Sequence, residues 1–258
     1  MQLRKSVILG GILAGLMLPG AWAWADSAVG TVTLVDGPAN VVSAGGQTRP
    51  AIVNGPVAEG DTVVTGANGQ VHLRMADDAY LAVRANSRLT LTHYRAPEDG
   101  NGESVVNLLK GSFRAVSGWI GKLHPEKYRI QTPTASIGIR GTDHEPLVVG
   151  EEEATAELPA GTYDHVNEGE TVLEAGGAEV HVLPEKTGFA ALRDHPRLLA
   201  LRPPFFDHPP ALDEKLEALK PVLKARIEVR MERFRALRSS IRDRVDGVLP
   251  DRVKRHRH

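Results

Sequence analysis

Short runs of alternating apolar and polar residues, separated by glycine-rich turns, occupy the chain from residue 30 to residue 183. The alternation is cleanest over residues 71–75 and resumes over 81–83, and a second series begins at residue 105 and turns at Gly111. Because the side chains of a strand point alternately to two faces, these runs predict β-strands. Short strands without a strict repeat predict a mainly β domain over residues 26–200, built as a sandwich or an irregular solenoid.

The pattern changes at residues 201–210, a proline-rich stretch. Proline lacks an amide donor, so this stretch is predicted to be a linker or a strap on the β domain, anchored by Phe205 and Phe206. Over residues 211–249 apolar residues recur at threes and fours, which predicts an amphipathic α-helix, kinked or divided into a helix pair at Pro221. Residues 250–258 are a basic tail.

The first 25 residues have the layout of an export signal. Arg4 and Lys5 precede an apolar run over residues 7–18, and residues 23–25 read Ala-Trp-Ala, a small-x-small cleavage site. The apolar run is shorter than the roughly 20 residues that a spanning helix needs. We therefore predict a cleaved signal peptide and a periplasmic location, with secretion from the cell as the alternative. The chain has no cysteine, which excludes a disulfide scaffold and a lipid-carrying cysteine.

Charge divides the chain in two. Residues 26–210 carry 15 Lys and Arg against 24 Asp and Glu, and residues 211–258 carry 14 against 8. The arginines of the predicted helix have three interpretations: solvated or paired side chains of a helix packed on the β domain or on a second copy, contacts to an anionic membrane surface, and contacts to nucleic acid. Export makes nucleic acid the weakest of the three. The candidate contact residues are Arg226, Arg230, Arg233, Arg238 and Arg242.

Candidate chemistry is sparse. Asp77 and Asp78 follow one another at a predicted hairpin tip, where aspartate is more typical of turn geometry than of an acid–base pair. His144 beside Asp143 and His165 beside Asp164 are the best candidates for metal ligands, but isolated histidines are more often core or surface residues. Trp119 is either a sugar-stacking platform or a core residue. We predict no cofactor, no metal site and no catalytic residue.

Residues 128–145 are the most distinctive stretch. It begins as a strand, passes Pro133, and ends in Ile-Arg-Gly-Thr-Asp at residues 139–143. Pro133 is expected at a strand start, a bulge or an edge, because proline cannot donate to a sheet. Gly141 is expected to provide a backbone angle or a close approach that a β-carbon forbids. We expect Arg140→Ala to destabilise the domain only if Arg140 is tied to an internal carboxylate or carbonyl.

Five short segments, in this order along the chain, resemble the FecR domain: residues 59–66, 69–73, 109–113, 132–135 and 139–143. The resemblance is strongest over residues 59–145 and weaker over 30–185. It implies a periplasmic all-β module, best known as the envelope part of transmembrane sigma-factor regulators that sense outer-membrane transporters. The residues of the family motif, expected to be structural, are Gly60, Asp61, Thr65, Gly66, Gly69, Gly111, Thr132, Pro133, Arg140, Gly141 and Thr142.

The chain also departs from that family. The regulators carry a cytoplasmic region and a membrane helix ahead of the domain, and here a predicted signal peptide stands in that place. Asp78 stands where the family hairpin usually has glycine, and no catalytic residues accompany the pattern. The sequence therefore predicts a non-enzymatic binding or scaffold protein of the cell envelope, with a protein or a glycan as partner and a second copy as a further candidate. The alternatives are an accessory of envelope signalling that acts on a separate regulator, and an envelope hydrolase.

Overall fold

The computed structural model describes residues 28–207 and 211–248, and within the last helix the side chains of residues 214–242 and 244. The predicted signal peptide and the basic tail lie outside the described residues. The helices are α1, Trp119–Leu123, and α2, Ala211–Val248, with single 3₁₀ turns at Pro125–Lys127 and Pro204–Phe206. The strands in this part of the chain are β1 Ala28–Asp36, β2 Ala39–Val42, β3 Thr48–Pro50, β4 Pro56–Ala58, β5 Thr62–Thr65, β6 Gln70–Met75, β7 Tyr80–Val83, β8 Arg88–Arg95, β9 Glu103–Val116, β10 Tyr128–Gln131, β11 Ser136–Val149, β12 Gly161–Ala175, β13 Ala178–Val182, β14 Thr187–Ala190 and β15 Arg197–Leu198.

All these strands belong to one hydrogen-bonded sheet, which confirms the mainly β prediction. The pairing falls into two halves that share the long strands β9, β11 and β12. One half runs β3–β2–β5–β8–β9–β10–β11–β12–β13 and uses the first part of β9 and β11 and the last part of β12. The other half runs β4–β1–β6–β7–β9–β11–β12–β14–β15 and uses the remaining parts. Each long strand therefore changes neighbours partway along its length.

Glycines with positive φ mark these changes of partner: Gly111 in β9 at 77°, Gly141 in β11 at 63° and Gly169 in β12 at 83°. The predicted turn at Gly111 is wrong, because β9 continues through it as one strand. A β-carbon on Gly141 would meet only Lys122 Cγ, at 3.6 Å. Gly141 is thus needed for its left-handed backbone and not for space.

Pro133 lies in the turn between β10 and β11 instead of at a strand start, bulge or edge. The Thr132 hydroxyl closes that turn by donating to the Ala135 carbonyl and accepting from the Ala135 amide, both at 2.9 Å. A proline is compatible with this position because the turn needs no hydrogen bond from the amide of residue 133.

One hydrophobic core joins both halves of the sheet and includes Trp119, which is fully buried. The Trp119 ring lies edge-on to Phe234 of α2, with centroids 4.9 Å apart. Trp119 is therefore a core residue and cannot serve as a sugar-stacking platform. In the strap, Phe206 is buried against Tyr163 and its neighbours, whereas Phe205 remains 38% exposed, so only one of the two predicted anchors is buried.

Candidate functional site

Helix α2 lies across the β domain as one continuous helix through Pro221. Leu216 and Leu223 pack on Tyr80 of β7 and Val116 of β9, while Ile227 and Phe234 join the main core. The missing amide of Pro221 weakens the helix locally. Anchors on both sides, Leu216 and Leu223, hold the helical path in spite of it.

A buried ionic network fixes this helix to the sheet, and we call Arg114, Asp143, Glu168, Glu217 and Lys220 the helix clamp. Arg114 donates to both carboxylate oxygens of Asp143, at 2.8 and 2.7 Å. Lys220 Nζ lies 2.7 Å from the same carboxylate and 2.9 Å from Glu168, and Glu217 binds Arg114. Arg114 and Asp143 are 5% and 2% exposed, so this pair is shielded from water, whereas Glu168 and Glu217 lie at the solvent-facing edge of the network.

The electrostatics of the helix clamp favour its charged forms. Burial alone would raise the pKa of Asp143, but the hydrogen bonds and charges of Arg114 and Lys220 outweigh it and hold that pKa below its ordinary value. Burial likewise acts to lower the pKa of Lys220, and Asp143 and Glu168 overcome it and raise that pKa. Removing the Asp143 carboxylate leaves Arg114 and Lys220 buried beside one another with only the more exposed Glu168 and Glu217 and the more distant Glu145 as partners, which is costly.

The last part of the described helix carries a more exposed apolar residue. Ile241 is 49% exposed, whereas Leu237 is 39% exposed, as is Leu219 in the packed part. Of the five predicted contact arginines, four are exposed and Arg230 is half-buried. Within the described side chains none of the five forms an ion pair with a carboxylate, including Glu228 and Glu232 of the same helix. The side chain of Asp243 lies outside the described set.

A cleft of about 710 Å³ opens beside the middle of β9 and the C-terminal end of β11. Leu109, Pro133, Val148 and Leu192 supply apolar walls, and the loop with Glu151, Glu152 and Glu153 forms one rim. Leu109 and Leu192 are 53% and 62% exposed, although both are large apolar side chains. Glu153 is paired with Lys110, which leaves the other two acids of the loop facing solvent.

The residues of the predicted motif lie at turns and strand switches. The Asp61 carboxylate accepts from the Ala58 amide at 3.0 Å and from Arg49 at 3.2 Å. The Thr65 hydroxyl accepts from the Ser87 amide at 2.9 Å. Of the motif glycines, Gly60, Gly111 and Gly141 have positive φ, whereas the close approach of Pro38 O, 2.1 Å from a β-carbon built on Gly69, leaves no room for a side chain there.

The side chain of Arg140 is exposed and makes no ion pair or hydrogen bond within residues 28–207 and 211–248. It is therefore not tied to an internal carboxylate. The same motif ends in Asp143, which is the centre of the helix clamp; the sequence indicated it only as a candidate metal ligand beside His144. One signal for the clamp was present in the sequence, because Lys220 interrupts the apolar stripe at a position between Leu216 and Leu223.

Asp77 lies in the turn of the β6–β7 hairpin, as predicted, but its side chain is fully buried. Its Oδ1 accepts from the Tyr94 hydroxyl at 2.6 Å and from the Ala79 amide at 3.0 Å, and burial raises its pKa. Asp78, with φ of 62°, takes the turn position where the related hairpins have glycine. The two carboxylates therefore do not form an accessible acid–base pair.

The predicted pairs of histidine and aspartate are separated by strand alternation. Asp143 faces α2, whereas its neighbour His144 faces inward and bonds Asp164 at 2.8 Å. Asp164 also accepts from Thr171, and His165 bonds Thr187 on the opposite face, at 2.9 Å. Among the described residues no group of three or more potential ligands is placed to hold a metal ion.

Neither helix, within the residues described, combines the length and the apolar character that a membrane span requires.

Comparison with known proteins gives one family match and several structural likenesses. The family model described as "FecR protein" matches residues 61–162. A solved structure described as "Cell surface anchoring domain" is 33% identical over 24% of this chain and 80% of its own, with a TM-score of 0.23. Two structures of a putative anti-sigma factor from Parabacteroides distasonis ATCC 8503 have 11% identity and a TM-score of 0.40, over 54% of this chain and 57% of theirs.

This chain thus spans little more than half the length of that putative anti-sigma factor. The search of curated proteins gave no match. The family match begins at the buried carboxylate of Asp61, includes the whole of β9 to β11, and ends in β12. It confirms the resemblance identified from the sequence: this chain carries a FecR domain at residues 61–162.

Proposed function

We propose that this protein is a non-enzymatic binding or scaffold protein of the cell envelope, whose FecR domain captures a segment of a protein partner. The observation that carries the proposal is the cleft beside β9 and β11. The export signal predicted from the sequence supports an envelope location, and the FecR match supports a role in envelope signalling or assembly.

The cleft has the size and chemistry of a binding site. Its volume of about 710 Å³ falls within the range of roughly 300 to 1,000 Å³ that is common for such sites. Large apolar residues that remain exposed beside a polar rim mark interaction surfaces. The lining favours a segment that places an apolar side chain between Leu109 and Leu192. The rim has charges of both signs, the exposed Glu151 and Glu152 and the exposed Arg88, which a polar segment can pair.

A protein partner fits this cleft better than a glycan. Sugar-binding sites generally stack a sugar on an aromatic ring, and the described residues that line the cleft include no aromatic side chain. Trp119, the tryptophan considered for that role, is buried. We therefore commit to a protein partner.

The carboxylates and histidines considered for catalysis support a non-enzymatic role. Asp77, His144 and Asp164 are each fully buried and already hydrogen-bonded within the core. A substrate cannot reach these groups without opening the sheet. This argues against the hydrolase alternative, which depends on accessible acids.

The proposal is tested by placing a photo-crosslinking amino acid in the intact protein in its native envelope. Positions 109 and 192 lie in the cleft, and position 52 is the control, because Ile52 has the same 62% exposure as Leu192 and lies outside the cleft. We expect one protein, identified by mass spectrometry, to be captured at 109 and 192 and not at 52. Capture of polysaccharide alone, or equal capture at all three positions, contradicts the proposal.

Binding of the purified partner then gives a quantitative test. Leu192→Asp should weaken it at least about tenfold, because a charge replaces an apolar contact, while Ile52→Asp leaves it unchanged. A Leu192→Asp protein that binds normally also rejects the cleft.

An accessory that acts on a separate regulator is the second candidate, favoured by the FecR match over residues 61–162. The same cross-linking experiment distinguishes the two candidates. Capture of a regulator of transcription or signalling at positions 109 and 192 identifies the accessory role, and capture of a structural envelope protein identifies the scaffold role.

A further inference from the structure

The two exposed sides of α2 differ in charge. At about 100° per residue, Arg226, Arg230 and Arg233 project within about 60° of one another, on one side of the helix. The described glutamates of α2 also project within about 60° of one another, but their mean direction is about 160° from that of the arginines: they are Glu214, Glu217, Glu228 and Glu232. Among its described side chains, the helix therefore has no carboxylate on the side of the three arginines.

These arginines line a groove together with apolar residues. The groove has a volume of about 370 Å³, and we call its lining residues on the helix the arginine flank: Val222, Ala225, Arg226, Val229, Arg230 and Arg233. The other wall includes Asp78, which lies in the turn of the β6–β7 hairpin. From residue 222 to residue 233 the flank extends for about 17 Å at 1.5 Å per residue, which is about three helical turns.

The apolar residues of the arginine flank are not covered by the β domain. Val222 and Val229 are 50% and 60% exposed. They project about 120° and 140° from the direction of Phe234, which is buried in the core. Exposed apolar residues beside charged ones mark interaction surfaces, and arginine is enriched in protein interfaces. The flank therefore has the composition of an interface, and it lacks acidic side chains of its own.

A peptide segment fits this groove better than a membrane surface. A helix that lies on a bilayer separates an apolar side from a basic one. Here Arg226 and Arg233 project within about 60° of the two valines, so charged and apolar side chains share one side. Asp78 adds a negative charge to the opposite wall. An anionic lipid surface presents its charge to Asp78 as well as to the arginines, whereas a peptide can place a neutral residue there.

The helix of a second copy does not complement the arginine flank. Its glutamates have the required charge, but the described side of α2 that carries them has no exposed leucine, isoleucine or valine. A second α2 that offered its glutamates would leave Val222 and Val229 against polar side chains. The occupant must carry carboxylates and apolar side chains on the same surface.

From the arginines without ion pairs, the exposed valines among them and the mixed charge of the groove, we infer that the arginine flank is a docking surface for an acidic, amphipathic segment of another protein. Carboxylates of that segment pair with Arg226, Arg230 and Arg233, and its apolar side chains cover Val222 and Val229. No residue lines both this groove and the cleft beside β9 and β11, so the docking surface can fail without the proposed function failing, and the reverse.

A photo-crosslinking amino acid at position 229 of the intact protein, in its native envelope, tests the inference. Position 239 is the control, because Ser239 is exposed on the glutamate side of the same helix. Mass spectrometry identifies the peptide that is attached. We expect position 229, and not position 239, to capture a peptide of another protein in which Asp and Glu outnumber Lys and Arg. A peptide without that acidic excess, a peptide of this chain itself, or no captured protein overturns the inference.

Charge reversal then tests the arginines themselves. Arg226→Glu with Arg233→Glu should reduce capture at position 229 at least about tenfold, because like charges would face one another in the complex. The matched control is Arg235→Glu with Arg242→Glu, which makes the same change of charge at two exposed residues on the side of Glu217. The control should capture as the wild type does, and circular dichroism checks that both variants are folded. An equal loss in both variants, or no loss in the first, contradicts the inference.

Vesicles of phosphatidylcholine with and without phosphatidylglycerol distinguish a membrane from a protein partner. The full-length protein should stay in the supernatant with both kinds of vesicle. Sedimentation with the anionic vesicles that is abolished by Arg226→Glu with Arg233→Glu would assign the arginine flank to a membrane surface and reject the protein segment.

Discussion

The two parts of helix α2 carry the same apolar periodicity and meet different surroundings. Up to Phe234 four apolar residues of the stripe are buried and one, Leu219, is 39% exposed. The lysines of this part reach carboxylates of the β domain: Lys220 binds Asp143 and Glu168, and Lys224 binds Glu168 at 2.7 Å. From residue 235 on, the basic residues of the described helix are arginines, and Leu237 and Ile241 are exposed. An amphipathic pattern therefore predicts which face of a helix is apolar. How much of that face the β domain buries depends on how far the domain extends along the helix.

A substitution in the helix clamp should have the largest effect, because it weakens the contacts that hold the first part of α2 on the β domain. We expect Asp143→Ala to lower the free energy of unfolding by about 3 to 5 kcal/mol, because it leaves Arg114 and Lys220 buried beside one another without their shared carboxylate. Chemical denaturation followed by circular dichroism measures this. Arg140→Ala, three residues away and exposed, is the control and should stay within about 0.5 kcal/mol of the wild type. A loss below about 1 kcal/mol for Asp143→Ala would mean that the clamp is dispensable.

Truncation of apolar side chains tests the two parts directly. Leu223→Ala should cost about 2 to 4 kcal/mol, since Leu223 is 4% exposed against Tyr80 and Val116. Leu237→Ala, the same substitution after Phe234, should lower the free energy of unfolding by less than about 1 kcal/mol, because Leu237 is already 39% exposed. Thermal unfolding of both variants gives the comparison. Equal losses would show that the distal part is covered within a single copy.

The smallest expected effect is a pH dependence of the free energy of unfolding that comes from Asp143 and Lys220 of the helix clamp. The folded-state pKa of Asp143 is held below its ordinary value of 3.8, so its contribution is complete above about pH 4 and is lost as pH falls through the folded-state pKa. Lys220 has the opposite sign: its pKa is raised above 10.5, so its contribution is complete below that pH and is lost as pH rises through the folded-state pKa.

Unfolding of the wild type and of Asp143→Asn at pH 7 and near pH 3 measures the acid limb. The two proteins should differ strongly at pH 7 and converge in acid. A difference that stays constant between the two pH values would exclude Asp143 as its source.

Much of the architecture could be predicted from short stretches of sequence. Strand alternation predicted the β domain, spacing at threes and fours predicted α2, and the order of the glycine segments predicted the FecR domain. Each of these signals is contained in neighbouring residues. The partner changes of β9, β11 and β12 were not accessible, because alternation is the same whichever strand lies alongside. Gly111 was interpreted as a turn for that reason.

The candidate surfaces depended on the tertiary structure to different degrees. Asp77 follows a strand and precedes Asp78, so the sequence predicted the turn, and only the tertiary structure shows that Tyr94 packs on its carboxylate inside the core. Asp143 and Lys220 are far apart in sequence, and their ion pair exists because α2 crosses β11. The cleft likewise combines residues from β9, β11 and the loops beside β14.

The sequence by itself determined which faces are apolar, where backbone freedom is needed and where the charge of the chain changes sign, because these properties belong to single residues and their spacing. The tertiary structure decided which apolar and charged residues meet. It buried Leu216, Leu223, Ile227 and Phe234 against the β domain and paired Lys220 with Asp143. Ile241, further along the same helix, is 49% exposed because the domain does not reach it.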